Sequence, residues 1–249
     1  MKVSIIMQSY LGQYLGSRSN SDIKFLRAVN SFIEQDDKES ELIIVSDGCM
    51  ITHDLYYKNF KTNDRVKYVY VDKDTLNMYD NYSGSRFYRG FPREVGRALV
   101  TGDITTYMDS DDFLLPNHIS EIKLNWIKYS NIDWLINTSW YDNIHRFYNP
   151  IDEYNNTIII PLESDIVDID GLPSKWLPYR NILNNEIVYI PMQPWTLCHS
   201  SNVSVKWVDT VDTSEDITFN KQLRSLYNGD NFYNTPTYVR CHYSNRWDF

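Results

Sequence analysis

The stretch Ile104-Thr105-Thr106-Tyr107-Met108-Asp109-Ser110-Asp111-Asp112-Phe113-Leu114-Leu115-Pro116 decides the fold. Ile104 to Met108 reads as a strand that stops abruptly at a group of acids. Beyond Pro116, Ile119, Ile122, Trp126 and Tyr129 recur at i, i+3, i+7 and i+10, the spacing of one helix face. A strand passing through a polar turn into a helix is the repeating unit of an open α/β sheet, in which ligands sit beyond the carboxyl ends of the strands. The acids stand at that position.

Towards the N-terminus the same unit recurs. Val3-Ser4-Ile5-Ile6-Met7 is a short β-branched run with no room for a helix, so it reads as a strand buried on both faces. Ser21 is placed to cap a helix in which Ile23, Leu26, Val29 and Ile33 face the core while Lys24, Arg27 and Asn30 face away. Leu42-Ile43-Ile44-Val45 forms a second strand ending at Ser46-Asp47-Gly48, and Val66 to Val71 a third. A short helix from Arg93 to Val100 is terminated by Gly102. Strand, helix and strand in succession make right-handed crossovers and a parallel sheet. Residues 1–130 are therefore expected to form an α/β nucleotide-binding layer. Between Tyr141 and Pro194 six prolines punctuate short strands, among them Thr157 to Ile160 and Ile187 to Ile190. Residues 131–249 read as a less regular lobe of the same single domain, closed by a helix from about Ser214 to Leu226 with Phe219, Leu223 and Leu226 on one face.

Composition narrows the function. A chain of 249 residues fits one large domain or a domain with an appended lobe, and 42% hydrophobic with 23% charged residues excludes disorder and fibrous classes. The net charge of -9 disfavours an extended nucleic-acid footprint. One local exception is the run Arg86, Arg89, Arg93 and Arg97 with Phe87, Tyr88 and Phe91 interleaved, which suits a nucleic-acid backbone or a solvated helix face. Cys49, Cys198 and Cys241 are far apart and odd in number, giving neither a disulfide framework nor a paired metal motif. No basic segment precedes an apolar run at the N-terminus, and no apolar run approaches the roughly 20 residues of a membrane span, so the expectation is a soluble, cytoplasmic protein.

Three polar groups fall at strand ends: Gln8-Ser9-Tyr10, Ser46-Asp47-Gly48 and Asp109-Ser110-Asp111-Asp112. Acids favour helix N-termini, so capping is one reading of the last group. One acid suffices for a cap, however, and three so close repel one another unless a cation lies among them. Oxygen-only ligands select Mg²⁺ or Mn²⁺ over zinc. Glu215-Asp216 reads as a pair of helix-opening acids.

Five segments in this order, Val3 to Tyr10, Ile43 to Gly48, Pro92 to Ala98, Gly102 to Ile104 and Tyr107 to Asp112, resemble the family 2 inverting glycosyltransferases of GT-A fold. The resemblance covers about the first 120 residues, and beyond them only Glu215-Asp216 and the neighbourhood of His242. It implies a GT-A fold, a Rossmann-like and mostly parallel sheet flanked by helices, with an irregular C-terminal acceptor lobe. It also implies that Gln8, Tyr10 and Asp47 hold the nucleobase of a UDP-linked donor and that Arg93 contacts the nucleotide. Asp111 would bind the metal bridging the diphosphate, and Asp109 the ribose or the metal. Asp216 would be the general base, with Glu215 its competitor, and His242 a further metal ligand. Two positions depart from the pattern, since many relatives carry two acids where Ser46-Asp47 stands and Asn where Glu94 stands.

A saccharide acceptor is the default the resemblance implies. The Asn- and Tyr-rich composition is similar to that of proteins from AT-rich genomes, large phages among them, which adds a hydroxymethylated base of phage DNA as an alternative acceptor. Trp176, Trp195, Trp207 and Tyr179 read either as an acceptor platform or as core. A third class, a noncatalytic metal-dependent sugar-binding module, predicts that Asp216 is dispensable. A nucleotidyltransferase would need a Gly-rich basic loop after the first strand, where Gln8-Ser9-Tyr10-Leu11-Gly12 stands instead.

Overall fold

Continuous β-branched runs lie at the centre of the sheet because both of their faces are covered. The computed structural model describes residues 1–12, 20–72, 90–129, 131–136, 139–141, 158–159, 177–178, 181–183, 186–188, 197–208, 215–231 and 237–240. In chain order the elements are β1 (Val3–Ser9), α1 (Ser21–Ile33), β2 (Glu41–Asp47), α2 (Met50–Asn59), β3 (Val66–Val71), α3 (Gly90–Arg97), β4 (Ile104–Asp109), β5 (Phe113–Leu114) and α4 (His118–Lys128). There follow β6 (Trp134–Ile136), β7 (Ser139–Tyr141), β8 (Ile158–Ile159), β9 (Leu177–Pro178), β10 (Asn181–Leu183), β11 (Glu186–Val188), β12 (Leu197–Ser200), α5 (Glu215–Leu226), β13 (Gly229–Asn231) and β14 (Tyr238–Arg240).

The main sheet has seven strands in the order β13-β6-β12-β4-β1-β2-β3. All pairings are parallel except those of β12, which runs antiparallel to both β4 and β6. Three of these strands come from beyond residue 130. Among the described residues the other strands form two small sheets, β5-β14-β7-β9 and β11-β10-β8. Register brings the functional ends level: Gln8 on β1 pairs with Asp109 on β4 and with Val45 on β2, and Ser9 pairs with Ser46. The loops that follow are tied together. Ser9 and Thr52 share a hydroxyl hydrogen bond of 2.9 Å, and the Ser46 hydroxyl donates to the Cys49 carbonyl. Gly48 takes φ 61°, a left-handed turn that glycine adopts without strain, and its amide donates to Val71.

Strand alternation divides the core. Ile5 and Met7 pack with Phe25, Phe32 and Ile119 under α1 and α4, while Ile6, Ile43 and Val45 pack with Tyr107 and Phe219 under α3 and α5. Gly96 makes the second layer tight: a Cβ there would lie 2.5 Å from Ile6 Cγ2, so α3 sits directly on β1.

Local expectations shift in several places. The buried face of α1 is Phe25, Ala28, Val29 and Phe32, with Lys24 also buried, whereas Ile23, Leu26 and Ile33 are only partly covered. An amphipathic stripe broad enough for both sets leaves its exact centre to packing. Ser21 lies inside α1 and donates its hydroxyl to the Leu11 carbonyl, while Asn20 in a left-handed conformation precedes the helix. Helix α3 ends at Arg97, and Gly102 serves space instead of termination, because a Cβ there would meet the Lys2 carbonyl at 2.7 Å. Helix α2 has no counterpart in the sequence reading. Its apolar side chains are scattered around the axis, and Thr52 is its one fully buried residue. On α5, Phe219 and Leu223 are buried and Leu226 is exposed.

At the opposite end of the sheet Glu41 is buried. Burial opposes its ionisation, but hydrogen bonds from Lys2, Lys67, Ser4 and the Thr101 amide outweigh that and hold the carboxyl at about 2, down from 4.5. The folded value lies below the unfolded one, so the stabilisation is complete above pH 4.5 and lost as the pH falls towards 2. The shift corresponds to about 3 kcal/mol. In Glu41→Gln, the denaturant midpoint measured against pH is expected to lose most of this acid limb; an unchanged limb would contradict the assignment.

Candidate active site

Strand β4 ends at Asp109, and the chain turns at once through Ser110, Asp111 and Asp112 into β5. One carboxylate oxygen from each of Asp109, Asp111 and Asp112 lies within 4.8 Å of the others. Asp109 and Asp111 are half-buried and Asp112 is fully buried. Like charges this close disfavour joint ionisation unless countercharge is near. Hydrogen bonds from fixed donors hold the turn that carries them. The Tyr238 hydroxyl on β14 donates to Asp112 Oδ2 at 2.7 Å and accepts the Asp109 amide at 3.0 Å. Burial, joined by the neighbouring charges of Asp112 and Asp109, pushes that hydroxyl well above its ordinary pKa, so it remains a donor. Arg27 on α1 donates to the Asp111 carbonyl at 2.6 Å, its guanidinium 5.3 Å from the Phe113 ring centroid. The face of α1 expected to point outward thus reaches the acid turn.

Arg93 on α3 connects the two acidic groups. Arg93 is 3% exposed, and its guanidinium lies 2.8 Å from Glu215 Oε1 and 3.9 Å from Asp109 Oδ1 and covers the Trp207 ring at 4.8 Å. Glu215 and Asp216 open α5, where acids are favoured by the helix dipole. The docking of α5 is aromatic: Trp207 stacks on Phe219 with centroids 4.2 Å apart and an interplanar angle of 6°. Trp207 Nε1 donates to the Tyr107 hydroxyl at 2.8 Å. That hydroxyl lies 2.8 Å from His199 Nε2, while His199 Nδ1 lies 2.8 Å from the Ser200 carbonyl. A carbonyl can only accept, which assigns the proton to Nδ1 and makes Tyr107 the donor to Nε2. Burial holds His199 at about 3, hence neutral. Trp207 is therefore a core residue beneath the site.

The structure brings Asp109, Asp111, Arg93 and Glu215 to one sheet end, with Asp216 beside Glu215 and with Gln8, Tyr10 and Asp47 at the neighbouring strand ends. Arg97 turns inward, with Nη2 bonding the Val203 carbonyl at 2.8 Å and Nη1 bonding Glu94 at 3.1 Å and the Val205 carbonyl. Arg93 and Arg97 are thus not presented as a basic surface. His242, Cys241, Arg86, Arg89, Phe87, Tyr88, Trp176, Tyr179 and Trp195 lie outside the described residues. Two residues at the site escaped the sequence reading. Tyr238 stood in the segment singled out for His242 but carries no motif of its own, and Arg27 had only helical periodicity to place it.

An all-oxygen carboxylate cluster suits a hard divalent cation such as Mg²⁺ or Mn²⁺, so the residues present fit a metal of that class. Among the described residues no helix is long and apolar enough to cross a membrane.

No protein-family model matches the chain, and no curated protein does. Solved structures match its fold. S. aureus TarS 1-349 superposes with a TM-score of 0.63 at 16% identity over 96% of this chain and 60% of that one. The same protein in complex with UDP-GlcNAc gives a TM-score of 0.61 at 15% identity, over 96% and 58% of the two chains. The mannosyltransferase PcManGT from Pyrobaculum calidifontis, in complex with GDP-Man and Mn²⁺, gives 0.55 at 13% identity, over 98% and 57%. The chain spans about 60% of the length of the first of these structures. The architecture is an α/β, mostly parallel sheet with flanking helices of the GT-A type.

Proposed function

We propose that this chain is a metal-dependent inverting glycosyltransferase that moves a sugar from a UDP-linked donor to an acceptor hydroxyl. The observation that carries the reading is the carboxylate cluster at the end of β4, joined through Arg93 to the acidic first turn of α5. A TarS structure holds UDP-GlcNAc, and a mannosyltransferase of the same fold holds GDP-Man and Mn²⁺, which supports a nucleotide sugar and a divalent cation as ligands of this chain.

In this reading residues 1–130 bind the donor and residues 131–249 the acceptor. Gln8, Tyr10 and Asp47 hold the base at the ends of β1 and β2. Asp109 and Asp111 hold Mn²⁺ or Mg²⁺, with His242 as a further ligand by family resemblance. When bound, the cation supplies positive charge to the departing diphosphate. Asp216 accepts the acceptor's hydroxyl proton as that oxygen attacks the anomeric carbon from the face opposite the nucleotide. Inversion follows from a single displacement, and the protein forms no covalent intermediate. Calorimetric titration with UDP is expected to show binding that requires Mn²⁺ and is lost in Asp111→Ala. Equal UDP binding without Mn²⁺, or by Asp111→Ala, would contradict the proposed donor site.

A further inference from the structure

The three acids after β4 are not equivalent. Asp112 is 1% exposed and receives the Tyr238 hydroxyl at 2.7 Å, whereas Asp109 and Asp111 are half-buried at the sheet end. The same hydroxyl accepts the Asp109 amide at 3.0 Å, and the Asp112 amide donates to the Asp109 carbonyl at 3.3 Å. One oxygen atom therefore spans the turn from its first residue to its fourth. Tyr238 is itself fixed. It is 1% exposed, its backbone pairs with Leu114 across β14 and β5, and the Leu115 amide donates to the Thr237 carbonyl at 2.8 Å. The Thr237 hydroxyl lies 2.8 Å from His118 Nδ1 at the start of α4. A strand near the C-terminus thus clamps the turn.

From this geometry we infer that Tyr238 and Asp112 are a positioning pair. They set the backbone of the turn so that Asp109 and Asp111 present their carboxylates to the divalent cation, and Asp112 is an anchor instead of a ligand. The inference rests on the metal-dependent reading above. Its physical basis is that ligating carboxylates need an ordered outer shell, and loss of such a partner weakens metal affinity by roughly 10- to 100-fold. A carboxylate committed to a buried hydroxyl is also less available to a cation, because leaving the pair exposes both groups' unmet hydrogen bonding.

The test is a Mn²⁺ titration of the full chain, read by the electron paramagnetic resonance signal of free Mn²⁺, with turnover measured alongside. Tyr238→Phe keeps the ring and removes the hydroxyl. It is expected to weaken Mn²⁺ binding by roughly 10- to 100-fold, while turnover at saturating Mn²⁺ returns to near wild type, a split that general structural damage would not produce. Asp112→Asn keeps an acceptor for the hydroxyl and is expected to bind Mn²⁺ at least tenfold more tightly than Asp111→Asn. The inference is overturned if Tyr238→Phe binds Mn²⁺ like the wild type, or if Asp112→Asn is as weak as Asp111→Asn. Should Tyr238→Phe fail to fold, the comparison of the two Asn variants decides. A wild-type chain that binds no Mn²⁺ overturns the metal-dependent reading as well, whereas wild-type binding that is lost in Asp111→Asn and kept in Tyr238→Phe overturns the positioning pair alone.

Discussion

Asp216→Asn is expected to lower kcat by roughly 10²- to 10⁴-fold, the range for loss of a general base, with UDP and Mn²⁺ binding unchanged. Glu215 and Asp216 are the two acids in the first turn of α5. Glu215 is engaged by Arg93 at 2.8 Å, and that guanidinium also lies beside Asp109. A carboxylate that abandoned this pair to take up a proton would leave a buried cation uncompensated, so Glu215 is better suited to hold Arg93 than to act as base. Asp216, partly exposed on the same turn, is the carboxylate proposed to take the acceptor's proton. Asn keeps its shape and removes its basicity. Steady-state kinetics of Asp216→Asn and Glu215→Gln check this; full turnover in Asp216→Asn would remove Asp216 from the chemistry.

Arg93→Met is expected to have the largest effect on stability. The guanidinium is buried between Glu215 and Asp109 and stacked over Trp207, so its removal strands carboxylates inside the protein. Breaking one side of a buried pair destabilises by about 3–5 kcal/mol. For a domain of this size that corresponds to a fall in Tm of roughly 10 °C. Arg93→Lys is expected to recover only part of the loss, because one ammonium cannot reproduce the fork that faces both acids. Thermal melts check the order wild type, Arg93→Lys, Arg93→Met. A Tm for Arg93→Met within a degree or two of wild type would contradict the bridging role.

What sequence made legible, and what it did not, follows from the range of the interactions. Val3 to Met7, Leu42 to Val45 and Ile104 to Met108 carry their burial in their own composition, and their order dictates a parallel sheet. The acids fall at strand ends by topology alone. The centre of the α1 stripe depended on which neighbour it met, so the outward assignment of Lys24 and Arg27 failed. Helix α2 carries no stripe and was invisible. The insertion of antiparallel β12 between β4 and β6 joins segments far apart in the chain. The Tyr238 contact to Asp112 spans 126 residues and the Arg27 contact to Asp111 spans 84, distances over which no local pattern speaks. The arginine run illustrates the same limit: clustered charge suggested a surface, yet Arg93 and Arg97 are consumed inside by Glu215, Glu94 and backbone carbonyls.

Release of UDP from a panel of UDP-sugars, with a pool of saccharide acceptors and Mn²⁺, tests the proposed transfer most directly. The expected result is turnover with at least one donor that stops on chelation of the cation and in Asp111→Ala. No turnover with any donor, or full activity in Asp111→Ala, would contradict it.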